Sequence, residues 1–308
     1  MRDQAEQLRQ IVTKLQQSNK VKAGDYARVV TITSGKGGVG KTSFTINLAI
    51  SLAKMGYRIV IIDGDFGLAN VDLMLGVSSR YGIGEIISGQ MDLEEVMVSG
   101  PHGIRFISGG SGIKELINLE PNQLDGFLQK VDQLNRLADI ILIDTGAGAT
   151  DNIVKMVLAA HEVVLVTTAE PTAITDAYAL TKIISTARRD VDLRLVVNKA
   201  DTIGEAQEIL GKFTRTAERF LKVEINSLGF ILEDSHVPRS IKEQVPYVLS
   251  YPKCQASKQM GAVARRLLDQ DKDNINNTGM TSYIKRFLSL FKVKERHKSM
   301  PPNTDGVG

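Results

Sequence analysis

The sequence predicts an α/β fold, a mostly parallel, doubly wound sheet flanked by helices. Three observations carry this. Apolar runs rich in β-branched residues recur, among them "RVVTITS", "RIVIIDGD", "DIILID", "EVVLVTT" and "DLRLVVNK". They lack the polar alternation of a half-exposed sheet, as strands covered on both faces do. Segments of helical period separate them, which is how parallel strands are connected. A glycine-rich stretch, "TSGKGGVGKTS", joins the first such strand to the first such helix.

In chain order, residues 3–17 read as a short amphipathic helix, because Leu8, Ile11, Val12 and Leu15 fall at i, i+3, i+4 and i+7. "QSNKVKAGD" is polar and reads as a linker, so residues 1–24 form an N-terminal segment. The main domain spans 25–268. It begins with the strand "RVVTITS", a helix over 41–54 and the strand "RIVIIDGD". A short strand over 104–108, a helix over 121–137 and the strand "DIILID" come next. Helices over 151–160, 172–188 and 203–220 alternate with "EVVLVTT", "DLRLVVNK" and "INSLGFI", and a helix over 253–268 closes the domain. Residues 269–279 are polar and read as a flexible linker, 280–296 as an amphipathic helix, and 297–308 as a disordered tail.

The composition narrows the function. Apolar residues make up 43% and charged residues 24% of the 308, ordinary for a soluble globular protein. Trp is absent and aromatics are few, which disfavours a base-stacking nucleic-acid surface. One cysteine, Cys254, excludes an intramolecular disulfide and a cysteine-cluster metal site, and fits a reducing compartment. Of the net charge of +3, the segment 280–298 alone carries +5, so the body is slightly acidic. No apolar run reaches the length of a membrane span, and the N-terminus is charged with no signal-like region. The expected location is cytoplasmic.

Gly35-x4-Gly40-Lys41-Thr42 matches the phosphate-loop pattern and lies between a strand and a helix, as that pattern requires. The fold class is therefore that of a P-loop NTPase. Gly37, Gly38 and Gly40 let successive N–H groups turn inward around an anion. The helix N-terminus adds partial positive charge. Lys41 reaches the β- and γ-phosphates and the Thr42 hydroxyl can ligate Mg²⁺. Three more strands end on the same edge of the sheet. They bring Asp63 and Asp65, Asp144 with Gly146, and Asn198 with Asp201. Asp144 and Asp63 are the candidate carboxylates for Mg²⁺ beside Thr42. Helix or turn capping is the bland alternative for any one of them.

"SGKGGVGKT" is the deviant Walker A motif, and over roughly residues 28–268 the chain resembles the MinD/ParA group of P-loop ATPases. The resemblance implies ATP and Mg²⁺ as cofactors. It places Gly35, Gly37, Gly38, Val39, Gly40, Lys41, Thr42 and Ser43 around the phosphates and Gly146 at the γ-phosphate. It also implies that Asn198 contacts adenine and that Asp65 orients the attacking water. Lys36 matches the signature lysine, which crosses to the partner's nucleotide when two ATP-bound protomers form a homodimer. That gives Lys36, Lys41 and Asp65 the catalytic roles. "NKAD" also has the shape of a guanine-reading motif, which leaves GTP as an alternative through Asp201.

The ends extend the resemblance. Tyr283, Ile284, Phe287, Leu288 and Phe291 line one face of the C-terminal helix, with Lys285 and Arg286 beside them. An apolar face bordered by cations on a tether is the pattern of a helix lying on an anionic membrane surface. Docking on the chain's own domain is the alternative. "DQAEQLR", Asp3 to Arg9, resembles the activator segment of the FlhG (YlxH/FleN) family of flagellar regulators. It implies binding of an FlhF-type GTPase through Asp3, Gln4, Leu8 and Arg9, and partners in the flagellar C-ring or among flagellar transcription regulators. No specific nucleic acid is expected. A MinD-type division-site regulator and a ParA-type DNA-partitioning ATPase are the rival readings.

Overall fold

A computed structural model describes residues 26–65, 70–110, 112–269 and 279–298, without the side chains of 113, 114 and 292–298. The strands are β1 (Arg28–Ser34), β2 (Ile59–Gly64), β3 (Val98–Ser99), β4 (Arg105–Ile107), β5 (Ile140–Ala147), β6 (Glu162–Thr167), β7 (Asp192–Ala200) and β8 (Ile225–Leu232). They form one sheet in the order β3-β4-β2-β5-β1-β6-β7-β8. Every pairing is parallel except β3 with β4. β2 and β6 are buried at every position, which explains why their sequences show no polar alternation.

The pleat sends neighbouring residues to opposite faces, and each face has its own core. Ile140 and Leu142 pack with the helices Lys41–Lys54 and Gln255–Asp269. Ile141 and Ile143 pack with the helices Asp151–Ala159, Pro171–Ala187 and Ile203–Leu221. Arg28 ties β1 to β6 through Glu162, with Arg28 Nε donating to Glu162 Oε2 over 2.7 Å in a buried pair.

Several elements differ from the sequence expectation. The helix expected over 121–137 breaks into Pro121–Asp132 and Leu134–Leu137. The ladder tightens there to i−3 bonds, from Gln133 N–H to Lys130 O and from Arg136 N–H to Gln133 O. The edge strand β3 and the short helices Asn70–Leu75, Ile83–Ile87, Leu93–Val96, Gly112–Ile117, His236–Lys242 and Tyr247–Ser250 were not anticipated. The expected segment 1–24, with Asp3, Gln4, Leu8 and Arg9, lies outside the described residues. So do 270–278 of the expected linker and 299–308 of the tail.

The C-terminal helix, Gly279–Lys298, lies on the domain in this conformation. The alternative to a membrane-facing surface is thus the arrangement observed. Met280, Tyr283, Ile284 and Phe287 belong to the core beside helices Pro121–Asp132 and Asp151–Ala159, and Leu288 and Phe291 pack against it half-buried. Tyr283 Oη donates to Met156 O over 2.9 Å and Arg286 Nη1 to Ala159 O over 3.1 Å. Lys155 Nζ sits 3.3 Å above the Phe291 ring centroid. Lys285 is half-buried beside this face. The physical reason is burial: the apolar quartet faces Ile62, Ile143, Leu116 and Met156 and takes that apolar surface out of water.

Candidate nucleotide site

The glycine-rich loop connects β1 to the helix Lys41–Lys54 at the carboxyl edge of the sheet. Gly40 caps that helix with φ 88°, a left-handed conformation in which other residues are strained. Gly35 is required for another reason. A Cβ there would lie 2.3 Å from the carbonyl carbon of Asp176, so the loop can lie against the helix Pro171–Ala187 only without one. Together Gly37, Gly38, Val39, Gly40, Lys41, Thr42 and Ser43 line one side of a cavity of about 440 Å³.

Asp144, at the end of β5, is fully buried and gathers the loop's polar groups. Its Oδ2 accepts from Thr42 Oγ1 over 2.7 Å and its Oδ1 from Thr45 Oγ1 over 2.7 Å. Lys41 Nζ stands 2.9 Å from Asp144 Oδ1. That ion pair is close but not aligned as a hydrogen bond, so the buried ammonium has no hydrogen-bond acceptor among the described residues. An unsatisfied buried cation facing a glycine loop is chemically suited to a phosphate. The Thr42 hydroxyl beside the Asp144 carboxylate is an oxygen set suited to Mg²⁺.

Asp63 and Asp144 are register partners on adjacent strands. Burial pushes the Asp63 carboxyl up to about 7, with the Asp144 charge adding to it and N–H groups of Asp65 and Val71 opposing it. Those N–H groups, at 3.0 and 3.3 Å, occupy both Asp63 oxygens. In this conformation Asp63 therefore holds the backbone of the following loop. Asp65 reaches the cavity and is steadied by Asn70, whose Nδ2 donates to Asp65 Oδ2 over 2.8 Å. Gly146 lies directly beneath it, and a Cβ there would come within 3.2 Å of Asp65 Oδ1. Asp65 and Gly146, 81 positions apart in sequence, are thus brought together.

Lys36 lines the same cavity but does not point at the phosphate cradle. Its Nζ donates to Glu170 Oε2 over 2.6 Å and to Thr172 Oγ1 over 2.8 Å, at the start of the helix Pro171–Ala187. Asn198, at the end of β7, donates from Nδ2 to Val39 O over 2.8 Å, and Lys199 Nζ donates to Gly38 O over 2.9 Å. The pair braces the outer side of the loop. Asp201 is not among the cavity-lining residues, so the guanine alternative finds no support in the geometry.

Some functional residues escaped the sequence reading. Thr45 repeats the Thr42 position one turn later, a signal that was legible. Glu170 and Thr172 start a helix remote in sequence and had none. The far wall of the cavity is built by Ile231 and Leu232 at the end of β8 and by Glu233 and Asp234 after it, with Val237, Pro238 and Tyr247. Its apolar members, Ile231, Leu232, Val237 and Pro238, offer the kind of surface a base plane packs on, with the carboxylates of Glu233 and Asp234 beside them. Asp234 orders it. Burial opposes its charge, but N–H groups of His236 and Ala256 and the His236 ring outweigh that and lower the carboxyl to about 2.

Comparison with known proteins gives the same grouping. Residues 25–268 match the ParA family described as "NUBPL iron-transfer P-loop NTPase". The antiactivator FleN of Pseudomonas aeruginosa is 37% identical over 240 residues, covering 78% of this chain and 86% of FleN. The flagellum site-determining protein YlxH of Helicobacter pylori is 34% identical, covering 85% of this chain and 90% of YlxH. The septum site-determining protein MinD of Pyrococcus horikoshii, solved with Mg-ADP, superposes with a TM-score of 0.62 at 25% identity, covering 80% of this chain and 96% of MinD. The phosphate loop, the carboxylates of β2 and β5, the parallel sheet and these matches lead to one assignment: the chain belongs to the MinD/ParA family of P-loop ATPases, beside FleN and YlxH.

Proposed function

We propose that the protein is a Mg²⁺-dependent ATP hydrolase that works as a dimerisation switch and controls flagellum number and placement. The flagellar role is supported by the two relatives, whose names are those of a flagellar antiactivator and a flagellum site-determining protein. The observation that carries the switch is the division of labour between two lysines. Lys41 is buried in the phosphate cradle without an acceptor, whereas Lys36 is tied outward to Glu170 and Thr172 of its own chain. One chain thus supplies one phosphate-binding lysine and holds a second in reserve.

In this reading the loop N–H groups and Lys41 bind the phosphates, and Thr42 with Asp144 holds Mg²⁺. When bound, Mg²⁺ supplies charge that offsets the negative phosphate oxygens. Asn198 and the wall after β8 receive the adenine. Asp65, fixed by Asn70, orients the attacking water, and Gly146 lies where a γ-phosphate would press on the loop. Lys36 leaves Glu170 and neutralises phosphate charge in the partner's site, so that turnover requires the homodimer. The C-terminal helix leaves the domain and puts Tyr283, Ile284, Phe287, Leu288 and Phe291 into an anionic bilayer surface, with Lys285 and Arg286 at the headgroups. Two such helices in a dimer bind far better than one. Among the described residues no helix is long and apolar enough to cross a membrane, and the attachment proposed here is peripheral. Asp3, Gln4, Leu8 and Arg9 engage an FlhF-type GTPase.

Asp65→Ala tests the switch. With ATP it should abolish hydrolysis, accumulate a dimer in sedimentation velocity, and pellet with anionic vesicles. An Asp65→Ala chain that stays monomeric in ATP would refute the mechanism.

A further inference from the structure

The seat of the C-terminal helix fits a particular spacing. Met280, Tyr283, Ile284 and Phe287 stand at i, i+3, i+4 and i+7, and none is more than 7% exposed. They fill a groove with Ile62, Gly64 and Ile143 on its floor and Leu116 and Met156 on its walls, leaving about 40 Å³ empty. If the helix leaves, this trough across β2 and β5 is bared to water. Exposure of apolar surface is unfavourable by about 25 cal/mol per Å², so a vacated groove favours any apolar occupant within reach.

The chain carries such an occupant. Leu8, Ile11, Val12 and Leu15 repeat the same spacing. That spacing is unchanged when read backwards, so a helix of either polarity presents the same four side chains. The N-terminal segment also starts from the right place. A Cβ on Gly279, where the C-terminal helix begins, would lie 2.8 Å from Tyr26 Cδ1 and 2.7 Å from Asn135 Oδ1. Asn135 Oδ1 in turn accepts from Ala27 N–H over 3.1 Å. The two terminal segments therefore meet at one end of the groove. The ten residues 16–25 between Leu15 and Tyr26 reach about 33 Å when extended, ample for folding back into it.

We propose that the groove has two alternative occupants, and that residues 3–17 take the seat, in the opposite chain direction, when the C-terminal helix leaves it. This rests on the reading that the helix departs for a membrane. Leu15 takes the place of Met280, Val12 and Ile11 those of Tyr283 and Ile284, and Leu8 that of Phe287. Side-chain size sets the resting order. Tyr283 and Phe287 are larger than their replacements, and the bond from the Tyr283 hydroxyl to Met156 has no counterpart in Val12. The C-terminal helix thus holds the seat until something else binds it. Seating residues 3–17 buries Leu8 and withholds the activator segment from its partner, so membrane attachment and partner activation become competing states of one chain.

Amide hydrogen exchange of the full chain tests this. Ile284→Asp with Phe287→Asp puts two carboxylates at sites 2% and 3% exposed, which drives the helix out without lipid or nucleotide. Exchange within 3–17 should then slow at least about ten-fold relative to the unaltered chain. Adding Leu8→Asp and Leu15→Asp should reverse that slowing and speed exchange in the helix Asp151–Ala159. Fast exchange of 3–17 in the ejected chain overturns the proposal. If the carboxylates also strip protection from β1 and β5, the unaltered chain with ATP and phosphatidylglycerol vesicles carries the readout. There Asp151–Ala159 should stay protected, and lose protection when Leu8 and Leu15 are changed to Asp. Equal exchange in both chains, with 280–291 released, overturns the proposal. Vesicle co-sedimentation reports the departure of the C-terminal helix separately, so a helix that never leaves sinks the membrane reading while the ejected chain still decides the exchange of seats.

Discussion

Replacing Asp144 by Asn perturbs the nucleotide site at its centre while keeping the side chain's shape. Asp144 is fully buried and accepts from the hydroxyls of Thr42 and Thr45 at 2.7 Å each. It is also the nearest counter-charge to Lys41, 2.9 Å away and itself only 7% exposed. An asparagine has one accepting oxygen, so one hydroxyl loses its partner and the Lys41 ammonium loses its anion. Breaking a buried pair on one side costs about 3–5 kcal/mol. For a domain of this size that is a drop in melting temperature of about 6–20 °C. A phosphate can replace the missing charge, because it binds where Lys41 has no acceptor. ADP without Mg²⁺ should therefore stabilise Asp144→Asn more than the unaltered chain, in which the phosphate must approach an existing carboxylate. Mg²⁺ should add little in the variant, since a carboxylate of the ligand set proposed for it is gone. Thermal unfolding with no nucleotide, with ADP and chelator, and with ADP and Mg²⁺ resolves all three expectations. A nucleotide-free loss under about 1 kcal/mol, or an undiminished Mg²⁺ increment, would refute the account of this cradle.

Two further outcomes follow from contacts outside the cradle. Lys36, through its hydrogen bond and charge, holds the exposed Glu170 carboxyl below its ordinary range, so the tie between them persists at neutral pH. Glu170→Gln should release Lys36 and raise the dimer fraction in ATP at a given protein concentration, measured by sedimentation velocity in an Asp65→Ala background; an unchanged fraction would mean that the tie does not oppose assembly. At the C-terminal helix, His161 Nε2 lies 2.7 Å from Arg286 Nη2 and can only accept there, which requires the neutral ring. Burial first, then the charges of Arg286 and Arg188, lower His161 below its ordinary value, with Asp190 opposing. A depressed folded value means the contribution is whole above about pH 6.5 and is lost as pH falls below it. Residues 280–291 should therefore exchange faster, after correction for intrinsic rates, at about pH 5.5 than at about pH 7.5, and His161→Gln should flatten that difference.

The parts of the molecule legible in the sequence were those written locally. A buried strand, a glycine loop and a helix start declare themselves within about ten residues, and so β1, β2, β5, β6 and β7 and the residues from Gly35 to Ser43 could be placed. The acidic strand ends were legible for the same reason, since parallel strands must end on one edge. What the sequence left open was whatever depends on the partner surface. The face of Tyr283, Ile284 and Phe287 has the same periodicity whether it meets lipid or the groove beside Met156, and only the groove distinguishes them. Lys36 reads identically whether it is free or tied to Glu170. The apolar part of the far wall, Ile231, Leu232, Val237 and Pro238, carries no motif, because a surface for a base needs shape and not a particular residue.

The two functions converge on the end of β2. Asp63 and Gly64 are consecutive, so the pleat turns them to opposite faces of the sheet. Asp63 holds the N–H groups of Asp65 and Val71 on the nucleotide side. Gly64 faces Met156, and a Cβ there would lie 2.4 Å from Met156 Cε. Met156 in turn accepts the Tyr283 hydroxyl through its carbonyl. The residue that holds the backbone of Asp65, proposed above to orient a water, and the floor on which the C-terminal helix rests are therefore two sides of the same pair of residues. No long relay is needed between nucleotide and helix. A change that pulls Asp65 toward a γ-phosphate acts on Asp63 through its backbone bond, and on the helix seat through the next residue. The missing side chain of Gly64 is what lets Met156, whose carbonyl holds Tyr283, lie that close to the strand end, so a small displacement there reaches the residue on which the helix rests.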